Sequence, residues 1–158
     1  MNRNTIIIFV LLAFTINLMA NKIYNIKDTE VKNKLSYFKN SNTKVTGTVY
    51  KYYPSGKVEL EATFVEGKQT GITKTFHPSG ILKSKIMFQN CSLEGLGRKY
   101  YESGVLQTEE NFKNGKLNGI SITYYESGKI QYKDNYKNDK LNGLSKTYYP
   151  SGNLEYTR

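Results

Sequence analysis

The chain has no tryptophan, one cysteine, one histidine and three prolines among its 158 residues. A single cysteine, Cys91, excludes an intramolecular disulfide. One histidine and one cysteine together are too few for a typical zinc set. No helix-period segment joins the apolar runs, and no connection between them is long enough for a parallel crossover. What is abundant instead is tyrosine, glycine and lysine: 14 Tyr and 7 Phe stand against 13 Gly, in a chain with 38% hydrophobic residues. Aromatic residues in a polar, turn-rich background favour strands.

A Ser-Gly pair recurs every 24 residues, at Ser55-Gly56, Ser79-Gly80, Ser103-Gly104, Ser127-Gly128 and Ser151-Gly152. A second glycine keeps the same step at Gly47, Gly71, Gly95, Gly119 and Gly143. Self-similarity at a fixed period of this size marks an array in which each unit packs on its neighbours. Within a unit, Gly119-Ile120-Ser121-Ile122-Thr123-Tyr124-Tyr125 alternates apolar and polar side chains, as a strand does. Pro54-Ser55-Gly56 then reverses the chain, with Gly where positive φ is needed and Pro where it pre-sets the turn. The return run, Val58, Leu60, Ala62 and Phe64 in the first unit, leads to a second turn such as Glu66-Gly67-Lys68.

These features predict an all-β fold, an elongated single antiparallel meander of stacked 24-residue hairpins with nine strands. The units run 47–70, 71–94, 95–118 and 119–142, with a partial unit at 143–158; residues 21–46 form a lead and a degenerate half-unit that caps the array. Cys91 and Asp139 occupy the slot of the turn glycines Gly67 and Gly115, so the Cys91 turn is expected to be the most irregular.

Residues 1–20 read as a signal peptide: Arg3, then an apolar run from Ile6 to Ile16, then Leu18-Met19-Ala20 as the cleavage site. The expected location is therefore periplasmic, secreted or cell-surface, with an uncleaved anchor as the weaker alternative. Removal of residues 1–20 takes Arg3 from a formal charge of +10 and leaves +9. Such a balance favours anionic surfaces. Lys57, Lys68, Lys116, Lys129 and Lys140, however, sit beside the turns, where solvated charge is the ordinary reading.

The pattern G-x-x-x-x-Y-Y-x-S-G-x-[IL], followed by F or Y and by x-N-G-K-L-x-G, resembles the MORN-repeat variant of bacterial proteins, including those labelled YwqK-type antitoxins. The resemblance implies an elongated sheet serving as a protein or lipid interaction scaffold, and it implies no chemistry. Departures from it are Cys91, Asp139 and His77.

No catalytic constellation is present and no cofactor motif is found. Glu109 and Glu110 are neighbours in a strand and point to opposite faces, and the Gly-Lys pairs lack the spacing of a phosphate loop. The remaining candidate is an aromatic row. The first aromatic of each unit (Tyr52, Phe76, Tyr100, Tyr124, Tyr148) is in phase with the apolar residues and is expected on a packed face. The second (Tyr53, His77, Tyr101, Tyr125, Tyr149) is expected on the other face, as a strip for a protein partner. A membrane surface or acidic polymer is the alternative partner, the resemblance adds a toxin neutralised by binding as another, nucleic acid is disfavoured by export, and end-to-end stacking through edge strands is a further reading. Oligomeric state is not legible in these residues.

Overall fold

Residues 22–158 are described by a computed structural model; the expected signal peptide at 1–20 lies outside them. The lead contributes β1 (Ile23–Asn25), a short 3-10 turn (Ile26–Asp28), β2 (Thr29–Lys32) and β3 (Leu35–Phe38). The repeats contribute β4 (Gly47–Tyr52), β5 (Val58–Val65), β6 (Lys68–Gln69), β7 (Gly71–Phe76), β8 (Leu82–Gln89), β9 (Ser92–Leu93) and β10 (Gly95–Tyr100). They continue with β11 (Leu106–Lys113), β12 (Lys116–Tyr124), β13 (Ile130–Lys137), β14 (Lys140–Leu141), β15 (Lys146–Tyr148) and β16 (Leu154–Thr157).

One 14-stranded sheet follows the order β1-β4-β5-β7-β8-β10-β11-β12-β13-β15-β16, with β6, β9 and β14 as short extensions on β5, β8 and β13. Ten strands of that path come from residues 47–158, one more than the expected nine, because the partial last unit supplies both β15 and β16. Pairing within the repeats is antiparallel throughout. The expected exclusion of parallel pairing fails at one place: β1 runs parallel to β4, with Ile23 opposite Thr48 and Asn25 opposite Tyr50. The segment between them carries the separate β2–β3 hairpin, which gives it the length a parallel connection requires.

Two turn chemistries alternate. At the wide end Tyr53 N donates to Lys57 O and Gly56 N to Tyr53 O, both at 2.9 Å, and Gly56 has φ +84°. That is a three-residue loop, with Pro54 leading and a left-handed residue closing it. At the narrow end Glu66 and Gly67 have φ +50° and +76°, a two-residue turn whose two positive φ values match the strand twist. Asn90-Cys91 (+50°, +67°) and Asn138-Asp139 (+50°, +66°) adopt the same geometry. The expected irregularity at Cys91 is thus absent, because pairing on both sides of the turn holds the non-glycine residue in the left-handed well.

The apolar side chains are divided between the two faces of the sheet. Val49 pairs with Ala62 and Gly47 with Phe64, whereas Tyr50 pairs with Glu61. Directly paired residues share a face. The return-strand apolars Ala62 and Phe64 therefore lie on the Val49 face, and the outgoing-strand series Ile120, Ile122 and Tyr124 lies on the Tyr50 face with Glu109, the partner of Ile122. On the Val49 face each unit sets an aromatic ring across from its glycine: Phe64 on Gly47, Phe88 on Gly71, Phe112 on Gly95 and Tyr136 on Gly119.

Among the described residues, burial of apolar side chains is near complete at Val45, Val49 and Ala62, all at the beginning of the array. There the lead closes over the sheet: Ser36 N donates to Gly67 O at 2.8 Å, Val45 N to Ser36 O at 3.0 Å, and Tyr24 meets Phe38 edge-on at 4.7 Å. The expectation that the first aromatics occupy a packed face fails at Tyr52, while Phe76, Tyr100, Tyr124 and Tyr148 are half-buried. Tyr52 is 43% exposed: Ala62 and Phe64 of its own hairpin lie on the opposite face.

Candidate interaction surface

Successive units are sewn together at both edges. At the wide-turn edge the Tyr53 hydroxyl donates to Phe76 O at 2.7 Å, Tyr101 to Tyr124 O at 2.7 Å and Tyr125 to Tyr148 O at 2.8 Å. His77 fills the same place with Nε2 at 3.0 Å from Tyr100 O; a carbonyl only accepts, so this nitrogen carries the proton. Tyr149, the last of the row, is 48% exposed. The structure thus brings Tyr53, His77, Tyr101 and Tyr125 into equivalent positions, half-buried, with their polar ends bonded to the next unit.

Beside this ladder, Lys57 Nζ donates to Ser79 O and Lys129 Nζ to Ser151 O, each at 2.7 Å. Two of the lysines read from sequence as freely solvated therefore close one wide turn on the next, because four methylenes span the gap between stacked turns. At the narrow-turn edge Gly67 N donates to Val45 O, Cys91 N to Gln69 O, Gly115 N to Leu93 O and Asp139 N to Leu117 O. Cys91 and Asp139 add a side-chain contact that glycine lacks: Cys91 Sγ accepts from Gln69 N at 3.2 Å and Asp139 Oδ1 from Leu117 N at 2.8 Å.

The Tyr50 face has a different character. Cross-strand pairing places Tyr50, Glu61, Lys74, Lys85, Arg98, Glu109, Ile122, Lys133 and Lys146 in one line across the sheet. Lys74, Lys85 and Arg98 are directly opposed to one another in sequence, as are Lys133 and Lys146. Like charges so placed destabilise a sheet. Glu61 relieves one end at 3.1 Å from Lys74, and Glu109 Oε1 binds Arg98 Nε at 2.8 Å. Two residues along the chain from members of this line stand the exposed side chains Ile72, Met87, Leu96, Ile120 and Leu144, and for all but Ile120 that member is a cation. Two shallow troughs result, one lined by Ile72, Met87, Leu96, Lys85 and Arg98 together with Glu94, and another by Ile120, Leu144, Lys133 and Lys146 together with Asp134 and Asn135.

The first aromatics flank the charged line. Tyr124 Oη donates to Glu109 Oε2 at 3.1 Å, and Tyr50 stacks on Tyr52 at 6.1 Å. Burial, then the hydrogen bond to Glu109, pushes the Tyr124 phenol above its ordinary range; burial, then the Glu61 charge, does so for Tyr50. Burial and Asp134 raise Tyr136 on the other side of the sheet. Glu109 also raises Arg98 further, chiefly through their hydrogen bond.

Glu109 and Glu110 face opposite sides, the first bound to Arg98 and the second 3.1 Å from Lys99. Among the described residues no three His, Cys, Asp or Glu side chains gather as a metal set. Sequence reasoning missed the cation line. Its signal was present in two interleaved series, Glu61, Lys85, Glu109, Lys133 and Lys74, Arg98, Ile122, Lys146, but only the hairpin register merges them into one row.

A family model described as MORN repeat variant matches the chain five times, at residues 45–66, 69–90, 93–114, 117–138 and 141–158. These matches start two residues ahead of the units set by the Gly47 series, with the same spacing. No curated protein matches the chain.

Proposed function

Because the chain belongs to the MORN repeat variant family and is a repeat scaffold, we propose that it is an exported, non-catalytic scaffold that holds a protein partner on the Tyr50 face. The observation that carries the reading is the row of opposed cations, Lys74-Lys85-Arg98 and Lys133-Lys146, beside exposed apolar side chains. Opposed like charges lower the stability of the free sheet and are relieved by an acidic partner. Exposed apolar and aromatic side chains on the same face supply contact area once water is displaced. The row Tyr53, His77, Tyr101, Tyr125 and Tyr149 contributes ring edges along one border, since the polar ends of its first four members are engaged within the array. Export rests on Arg3, the apolar run Ile6 to Ile16 and Ala20.

The test is retention of a protein from the producing cell's envelope and medium by the C-terminally tagged full chain, at low and high salt. A single protein retained by the wild type, and lost on Lys85→Gln with Lys133→Gln while the fold is kept by circular dichroism, supports the scaffold. A second reading, an anionic membrane surface, is favoured by the number of cations on one face. Release of lipid by moderate salt, with no protein retained, would replace the first reading with it.

A further inference from the structure

The two troughs on the Tyr50 face are the same site built twice. Ile72, Lys85, Met87, Leu96 and Arg98 of the first correspond, 48 residues on, to Ile120, Lys133, Asn135, Leu144 and Lys146 of the second. The intervening position, 24 residues from each, holds Leu96, Glu109, Asn111, Ile120 and Ile122. It lies between Arg98, the cross-strand partner of Glu109, and Lys133, the partner of Ile122; Glu109 binds Arg98 and also accepts from Tyr124. The face thus presents the cations Lys74, Lys85 and Arg98, a middle stretch in which Glu109 is engaged by Arg98 and Tyr124 beside Ile120 and Ile122, and then the cations Lys133 and Lys146. Repeats of 24 residues build the sheet, but the cations Lys85 and Arg98 recur two units on, at Lys133 and Lys146, and not one unit on.

We propose that this face is a bivalent docking site for one segment of a protein partner, acidic at both ends and apolar between. The inference rests on the protein-binding reading above and adds to it a spacing. Lys85 on β8 and Lys133 on β13 are four strand steps apart along the path β8-β10-β11-β12-β13. At ~4.8 Å per step this is about 19 Å. An extended segment covers that distance with about six residues. Between the cation groups, on β11 and β12, the apolar contact is supplied by Ile120 and Ile122, beside the Arg98-bound Glu109. Charge complementarity selects carboxylates at the ends: among the described residues no Asp or Glu lies within 4.0 Å of the ammonium of Lys85, Lys133 or Lys146. A lipid surface, by contrast, offers charge without a fixed interval.

The test uses the full chain and labelled synthetic peptides, with binding followed by fluorescence anisotropy. The probe carries Glu-Glu at each end of a six-residue Val/Thr spacer; controls have two-residue and twelve-residue spacers, or one acidic end. The six-residue probe is expected to bind at least about tenfold tighter than the one-ended control, because the second contact becomes intramolecular. Lys85→Gln with Arg98→Gln, and separately Lys133→Gln with Lys146→Gln, should each reduce it to the one-ended value. Equal binding at all spacings, or retention only by anionic vesicles, overturns the proposal. Loss of the spacing effect leaves the scaffold reading intact, whereas failure to retain any protein partner removes both.

Discussion

The Tyr101 hydroxyl reaches 23 residues forward to donate a 2.7 Å hydrogen bond to the backbone carbonyl of Tyr124. The bond joins the wide turn of one unit to the outgoing strand of the next, so a side chain performs a task that backbone pairing does elsewhere. Loss of the donor leaves a part-buried carbonyl without its partner.

Tyr101→Phe should therefore lower stability by about 1 kcal/mol, and Tyr125→Phe by about the same. The double variant should be near-additive, since each bond joins a different pair of units. Urea unfolding checks this as a shift in midpoint at constant slope. A neutral Tyr101→Phe would show that the hydroxyl ladder adds nothing.

Gly56 and Gly67 both have positive φ, yet their surroundings differ. A Cβ on Gly56 meets nothing within 4 Å, whereas one on Gly67 would stand 2.8 Å from Ser36 O. Gly56→Ala should cost about 1 kcal/mol for the backbone alone. Gly67→Ala should cost at least twice that, because the lead must also move away from the sheet. Equal thermal shifts for the two variants would mean that β3 does not close on the turn.

Gly97 is buried with Ile86 Cδ1 and Phe112 Cε2 each 3.0 Å from where its Cβ would be. Val49, Thr73, Ser121 and Ser145 occupy the equivalent place in other units, so glycine makes room here for a larger pair of neighbours. Gly97→Ala should destabilise by about 1–3 kcal/mol. Adding Ile86→Val should recover part of the loss, and denaturant titration of the single and double variants measures it.

The phenols of Tyr50, Tyr124 and Tyr136 are all raised, so each holds its proton more firmly in the folded chain than in the unfolded one. Their contribution to stability is complete below the unfolded phenol pKa of about 10 and is lost as pH rises through the higher folded values. Melting temperature should fall in that alkaline window, and Tyr124→Phe should make the fall shallower. Glu109→Gln should bring the Tyr124 phenol down towards its ordinary range, which ultraviolet titration follows at 295 nm, a wavelength of the method. An unchanged profile in Tyr124→Phe would contradict the assignment.

Much of the fold was legible because its signals are local. The Ser-Gly and Glu66-Gly67 turns each specify a reversal through backbone conformation, and the 24-residue step sets how often the reversals come. The phase between outgoing and return strands was not legible. It depends on the register slip at each wide turn, such as that between Lys51 and Tyr52, which puts Ala62 and Phe64 on the face away from Tyr50. For the same reason the tyrosine row was visible as a period, but its bonds to Phe76, Tyr124 and Tyr148 were not. They depend on how neighbouring hairpins stack. The β1–β4 pairing had no local signal, since a three-residue strand contributes too few alternating positions to be seen.

The position of Val45, Val49 and Ala62, all buried at one end, makes the sheet unequal along its length. Every residue of β16 is exposed, while β4 and β5 are held by both the lead and the next hairpin. Local opening should therefore begin at β15 and β16 and travel backwards, a gradient that hydrogen exchange reads directly. The second trough stands on the looser part and the first on the firmer. A partner bridging them would be gripped at one end and would steady the molecule at the other, so occupancy would register as slowed exchange far from the firm end.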